Sequence, residues 1–219
     1  MRQRVSSALL RGLTPGSATV SLYLLDKANS NEVYCLRKQT LPRGRGRMSV
    51  STINSPVTGT YRIDPGSSSI EFTTRHMFGL GKVVGSFSLD GGSVTVADTA
   101  TDSSVSATAS AASFATDKQR RDEHVKSPAL LDVVRFPEIE FRSTGLVNEG
   151  SRWTLRGELT AHGVTAPVEF VVTELRSDPT TFTVRATGTV DRYAHGVTKV
   201  KGMAGRHITL DVTVHAVAN

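Results

Sequence analysis

From Thr60 onward, apolar residues recur at every second position, with Thr, Ser, Arg and Glu mostly between them. That spacing places one set of side chains on one face of a pleated strand and the other set on the opposite face. The pattern runs through Tyr61 and Ile63, Ile70 and Phe72, Val83 to Leu89, Val94 and Val96, and Val105 to Ala111. It resumes at Ile139 and Phe141, Trp153 to Ala161, Val168 to Val172, Phe182 to Val190, and Ile208 to Ala216. Turn-forming groups separate the runs: Asp64-Pro65-Gly66, Asp90-Gly91-Gly92, Asn148-Glu149-Gly150, His162-Gly163 and Ser177-Asp178-Pro179. Eight or more half-buried antiparallel strands are therefore expected. An open sheet of that size exposes two edges, and closing it removes both, so the predicted fold class is all-β, a barrel or a sandwich. Residues 117–135 depart from the alternation. Lys118 to Lys126 has helical composition and Ser127-Pro128 stops it, which predicts one short helix.

A barrel of eight strands can be filled by its own side chains or can hold one small ligand. The inward candidates here mix large residues, Phe72, Phe87, Phe114, Phe141, Trp153, Phe170 and Phe182, with small ones, Ala107, Ala109, Ala111, Gly157, Ala186 and Gly188. Small residues on facing strands would leave volume unfilled, or would fit the taper of a packed barrel. Leu130, Leu131 and Phe136, after the short helix, need an apolar partner, and the barrel mouth offers one.

Charge changes the picture only at one end. The 219 residues carry a net charge of +6, but residues 1–47 hold nine Lys/Arg against Asp26 and Glu32, while the other 172 hold 17 basic and 18 acidic residues. The body therefore has no electrostatic case for phosphate binding, and no nucleic-acid partner is expected for it. Residues 1–55 read as a basic extension without fixed structure, with Met48 a plausible start, and residues 56–219 as the folded domain. No apolar run approaches the roughly 20 residues of a membrane-crossing helix. One cysteine, Cys35, excludes an internal disulfide.

Catalytic chemistry is sparse. The six histidines include no HExxH pair, there is no CxxC, and no metal is expected. No G-x-S-x-G elbow occurs. Arg121 to His124 form a run of charged residues that reads as the solvated face of the helix. The pentapeptide Ala-His-Gly-Val-Thr occurs at 161–165 and again at 194–198, which reads as two similar hairpin turns.

Several segments carry a family resemblance: Asp64-Pro65 with Ser68-Ser69-Ile70, Phe72 and Arg75-His76; Arg121 to Pro128 running through Leu131-Asp132-Val133 and Phe136-Pro137 to Ile139, Phe141 and Ser143; and Leu155 to Thr160 with His162-Gly163-Val164-Thr165 and Pro167-Val168. In order and extent they resemble YceI-like, polyisoprenoid-binding proteins. The resemblance departs at Ser67, where the family usually has His, and at Leu130 and Leu131, where it usually has an aromatic pair. It implies an eight-stranded antiparallel, lipocalin-like barrel with one short helix, holding a long isoprenoid chain or a quinone in its lumen. The expected function is then non-enzymatic binding, storage or transport of such a lipid, with no cofactor. The expected ligand contacts are the seven aromatic residues above with Leu130, Leu131 and Phe136, and polar contacts from His76, Arg121, His124 and His162. The alternative is an enzyme using histidines at the barrel mouth on an apolar substrate. A homodimer and a cytoplasmic address are further expectations, with periplasm or secretion as the other address.

Overall fold

The computed structural model describes residues 56–76, 80–150 and 152–219, without the side chain of His76. The expected extension at 1–55 lies outside the described residues. The elements run β1 (Gly59–Ile63), β2 (Ser69–His76), β3 (Gly81–Phe87), β4 (Leu89–Val96), β5 (Ser104–Ser110), β6 (Ala115–Thr116), α1 (Gln119–Lys126), β7 (Glu138–Glu149), β8 (Arg152–Ala161), β9 (Val164–Ser177), β10 (Thr181–Asp191) and β11 (Ala204–Ala218). All pairings between these strands are antiparallel, and a bond between β1 and β11 closes the sheet on itself. The result is an eight-stranded barrel with one α-helix among the described residues.

Eleven strands make eight barrel positions because three positions are broken. β1 and β2 both pair with β11, one after the other and in the same direction, through Ile63↔Ala216 and then Ser69↔Thr213. The Asp64-Pro65-Gly66 group between them is thus a bend within one barrel position. β3 and β4 form the next position, interrupted at Ser88, and β5 and β6 the third, interrupted by a 3₁₀ turn at Ala111–Ser113. Asp90-Gly91-Gly92 corrects the sequence reading, since it lies inside β4 and is a bulge, not a turn between strands. Gly91 and Gly92 both have φ of 153°, which side-chain-bearing residues rarely adopt, and a Cβ on Gly92 would sit 2.2 Å from the Ser106 carbonyl oxygen.

The ends of the barrel differ. At one end Tyr61, Ile63, Leu89, Val94, Phe182 and Ala216 are buried against one another. Tyr61 meets Phe182 edge-on at 4.8 Å and donates its hydroxyl to the Val57 carbonyl, so the ring is buried and its polar atom satisfied. The other end gathers the β2–β3, β8–β9 and β10–β11 connections and the segment from α1 to Pro137. There β7 pairs with β5 only as far as Glu138↔Ser110, while β6 pairs with β3. The segment from α1 to Pro137 covers the flank left between them: Val125 and Leu131 pack against Phe72, Val83 and Phe114, and Leu130 is buried.

Candidate functional site

The inward register of β7 to β11 carries no Asp, Glu, Lys or Arg; the charged residues of these strands, such as Arg156 and Glu169 paired at 2.9 Å, lie on the outer wall. In a second cluster Leu159, Val168, Phe170 and Val190 are buried, with Ile139, Phe141, Leu155, Ala186, Leu210 and Val212 packed against them. These last six remain half-buried although they point inward, as do Val184 and Val214 beside the cluster around Ile63. The middle of the lumen is an apolar wall that its own residues do not cover completely.

Phenyl rings lie on the inward glycines. A Cβ on Gly157 would stand 2.4 Å from the Phe141 ring, and one on Gly188 would stand 2.6 Å from the Phe170 ring and 2.7 Å from the Glu169 carbonyl oxygen. The same holds at Gly85, where the Phe72 ring lies 2.5 Å from the added atom. Of the two readings open from the sequence, unfilled volume and a fitted wall, Gly157 and Gly188 follow the second. Each glycine lets a ring lean along the wall, and the two rings then meet edge-on at 5.5 Å.

The aromatic candidates fall into three groups by contact. Phe182 packs in the cluster around Ile63, Phe141 and Phe170 in the cluster with Leu159 and Val168, and Phe72, Phe87 and Phe114 form a stack with centroids 5.1–5.6 Å apart. Trp153 stands opposite Val172 and Asn148 at the start of β8 and is half-buried. Phe136 packs outside these groups, over the His162-Gly163 turn, 4.8 Å from the His162 ring. With φ of 52° and 72°, this two-residue turn joins β8 to β9 as a tight hairpin.

The polar candidates do not converge. Arg121 donates from Nε to Thr116 Oγ1 at 3.0 Å and pairs with Asp117, which ties it to the start of α1. Asp122 feels some burial, yet the hydroxyl and N–H of Thr116 and the charges of Arg121 and Lys126 hold its carboxyl below the ordinary range. His124 is exposed on α1 and His162 stands at the hairpin tip; the His76 side chain lies outside the described residues. Among the described residues no three His, Cys, Asp or Glu are grouped to hold a metal ion.

The second pentapeptide corrects the reading of two similar hairpins. Residues 194–198 lie in the long β10–β11 connection, and the buried His195 ring nitrogen Nδ1 sits 3.0 Å from the carbonyl oxygen of Val164 in the first copy. One copy makes a hairpin and the other grips it. The organiser of this connection is Arg192, which composition does not single out. It is buried, and its guanidinium donates to the carbonyls of Gly205 at 2.8 Å, Val197 at 2.5 Å, Lys199 at 2.9 Å and Ala204 at 3.1 Å. Leu210 and Val212 are also lumen residues beyond the expected contacts; their alternation on β11 was the signal for them.

An ion pair fastens the base of the same connection. Arg206 donates to Asp191 Oδ2 from Nε at 2.9 Å and from the terminal nitrogen at 2.6 Å. Those bonds, against the opposing effect of burial and with help from the Tyr193 N–H, bring the Asp191 carboxyl down to about 2. A carboxyl lowered on folding adds stability above its unfolded value of 3.8, and that stability is lost as pH falls through about 2. Asp191→Asn is expected to melt below the parent at neutral pH, with the gap narrowing across that acid window in thermal melts.

Two open concavities lie on the outer wall, one of about 770 Å³ along β9 and β10 by Pro167, Glu169, Thr187 and Thr189, and one of about 260 Å³ by Asp178, Thr183 and His215. Their walls are mainly outward side chains, and neither gathers the apolar residues of the lumen.

Residues 61–216 match the family model of the YceI-like domain. A UPF0312 protein of Yersinia pestis is 34% identical over 134 residues, covering 58% of this chain and 69% of its own. A UPF0312 protein of Photorhabdus laumondii is 33% identical over 118 residues, covering 52% of this chain and 61% of its own length. Among solved structures, BcnA of Burkholderia cenocepacia superimposes with a TM-score of 0.62 at 20% identity, over 71% of this chain and 99% of that one. A polyisoprenoid-binding domain from Saccharophagus degradans, implicated in plant cell wall breakdown, superimposes with a TM-score of 0.57 at 13% identity, over 73% of this chain and 98% of that one. Sequence pattern, closed barrel and family match agree: the chain belongs to the YceI-like domain family.

Proposed function

We propose that this protein binds a long-chain apolar lipid, of isoprenoid or isoprenoid-quinone type, in the barrel lumen and carries or stores it without chemical change. The observation that carries the reading is the half-buried inward belt of Leu155, Ala186, Leu210 and Val212 around the Phe141 and Phe170 rings, without a charged residue in its register. Removal of hydrocarbon from water is worth about 25 cal/mol per Å², so a chain burying a few hundred Å² gains several kcal/mol before ordering costs. Such a wall selects length and girth more than functional groups. The polyisoprenoid-binding domain of S. degradans, with the same fold, supports the choice of ligand class. An enzymatic reading has less support, since the His195 ring is taken up by the Val164 carbonyl oxygen and the His215 ring by the Thr183 hydroxyl.

Purification followed by solvent extraction and mass spectrometry tests the proposal. The parent protein is expected to yield a hydrophobe in near-stoichiometric amount, recovered unmodified after incubation. Ala186→Trp, which puts an indole into the belt from β10, is expected to lose most of it while keeping the far-ultraviolet spectrum of a β-barrel. Equal lipid content in a folded Ala186→Trp protein would reject the lumen as the site, and turnover of the bound molecule would reject simple carriage.

A further inference from the structure

Large apolar side chains that stay exposed are concentrated at one end of the molecule. Of the seven among the described residues, Leu80, Val134, Val200 and Met203 belong to the connections and covering segment at the mouth, and Val164 opens β9 there. Leu80 and Met203 are 89% and 57% exposed. The β2–β3 and β10–β11 connections that carry Leu80, Val200 and Met203 are neighbours, because Ala204 pairs with His76. Val200 holds φ of 50°, an unfavourable backbone for a β-branched residue, between the exposed Lys199 and Lys201.

Charge follows the same polarity. Residues 75–82 and 191–207 hold six Lys/Arg against Asp191 alone, whereas the opposite end, at 96–104, 147–152, 174–181 and 215–219, holds two Lys/Arg against five Asp/Glu. The barrel body, nearly neutral in sum, is thus polarised along its axis. Lys82, Lys199 and Lys201 are exposed beside the apolar tips, with Lys201 lying 5.4 Å over the Tyr193 ring. Apolar tips flanked by lysines, at the end where these connections gather, suit a surface that is apolar beneath and negative above.

We infer that the mouth end docks on an anionic lipid bilayer, with Leu80, Val200 and Met203 entering the interface and Lys82, Lys199 and Lys201 held by lipid phosphates. This deepens the proposed lipid carriage, since it places the lumen opening against the membrane from which an apolar chain would enter. The complementarity favours a bilayer over a protein partner because the lysines answer a diffuse negative layer without requiring a matched acidic surface.

The full chain is tested by co-sedimentation with vesicles of phosphatidylcholine alone and of phosphatidylcholine with 30% phosphatidylglycerol. The basic segment at 1–47 is present in every variant, so its contribution cancels. The parent is expected to partition onto the anionic vesicles and to release as salt is raised. Lys199→Glu with Lys201→Glu, and separately Leu80→Ser with Val200→Ser and Met203→Ser, are each expected to lower the partition coefficient by about tenfold or more. Both variants are expected to keep the parent's content of extractable lipid. Ala186→Trp, conversely, is expected to lose the lipid yet bind vesicles as the parent does, which separates failure of the docking surface from failure of the lumen. Unchanged partition in both surface variants, equal binding to neutral and anionic vesicles, or self-association through this face without vesicle binding would overturn the inference.

Discussion

Gly188→Ala is expected to destabilise the barrel by about 1–3 kcal/mol, although it adds a single methyl group. The new Cβ meets the Phe170 ring at 2.6 Å and the Glu169 carbonyl oxygen at 2.7 Å. The ring can turn away, but the carbonyl belongs to the paired strand β9, so β9 and β10 must also move apart. Displaced from the wall, the ring swings into the lumen, and bound lipid is expected to fall with stability. Thermal melting and extraction on the same sample measure both effects. Phe170→Leu in the Gly188→Ala background is expected to recover part of the melting temperature, because it removes the ring that the methyl strikes. Additive losses in that double variant would show that ring and glycine are not coupled.

Arg192→Met is expected to cost about 3 kcal/mol and to loosen one connection more than the barrel body. The side chain is 7% exposed, and its charge is answered by four carbonyl oxygens instead of a carboxylate. Burial pulls the guanidinium pKa down, yet an arginine starts so high that the group stays charged at any working pH. Methionine fills similar volume but leaves those carbonyls without donors. Rapid tryptic cleavage at Lys199 and Lys201, and faster amide exchange at Val197 than in β7 to β9, are the expected signs. Arg192→Lys should rescue only partly, since an ammonium cannot span the carbonyls that the planar fork reaches. If Arg192→Met resisted trypsin as the parent does, the arginine would not be what orders the connection.

The alternation of residues made the wall of the barrel legible. Its period assigns the inward face of β8 to β11, and Leu210 and Val212 could have been named as lumen residues from it. Height along the axis was not legible, because a period of two says which face a residue takes and nothing about its level. Phe170 and Phe182 look equivalent in sequence, yet strand pairing sets one in the half-covered belt and the other in the packed end beside Tyr61. Glycine pairs misled for a related reason: Gly91-Gly92 has turn composition, but its neighbours on both sides keep their pairing and make it a bulge. Arg192 gave no signal at all, since its four acceptors come from a connection that only the closed barrel folds back over it.

The three interrupted positions, β1 with β2, β3 with β4, and β5 with β6, stand side by side, whereas β7 to β11 are each one long strand with at most a local bulge. A tube assembled this way has five stiff staves and three jointed ones. Ser88 and the Asp64 and Ala111 bends are where such a tube would yield first, because the ladder hydrogen bonds are already broken there. Guests of different thickness could then be admitted through small rotations on the jointed side, with no stave having to unzip.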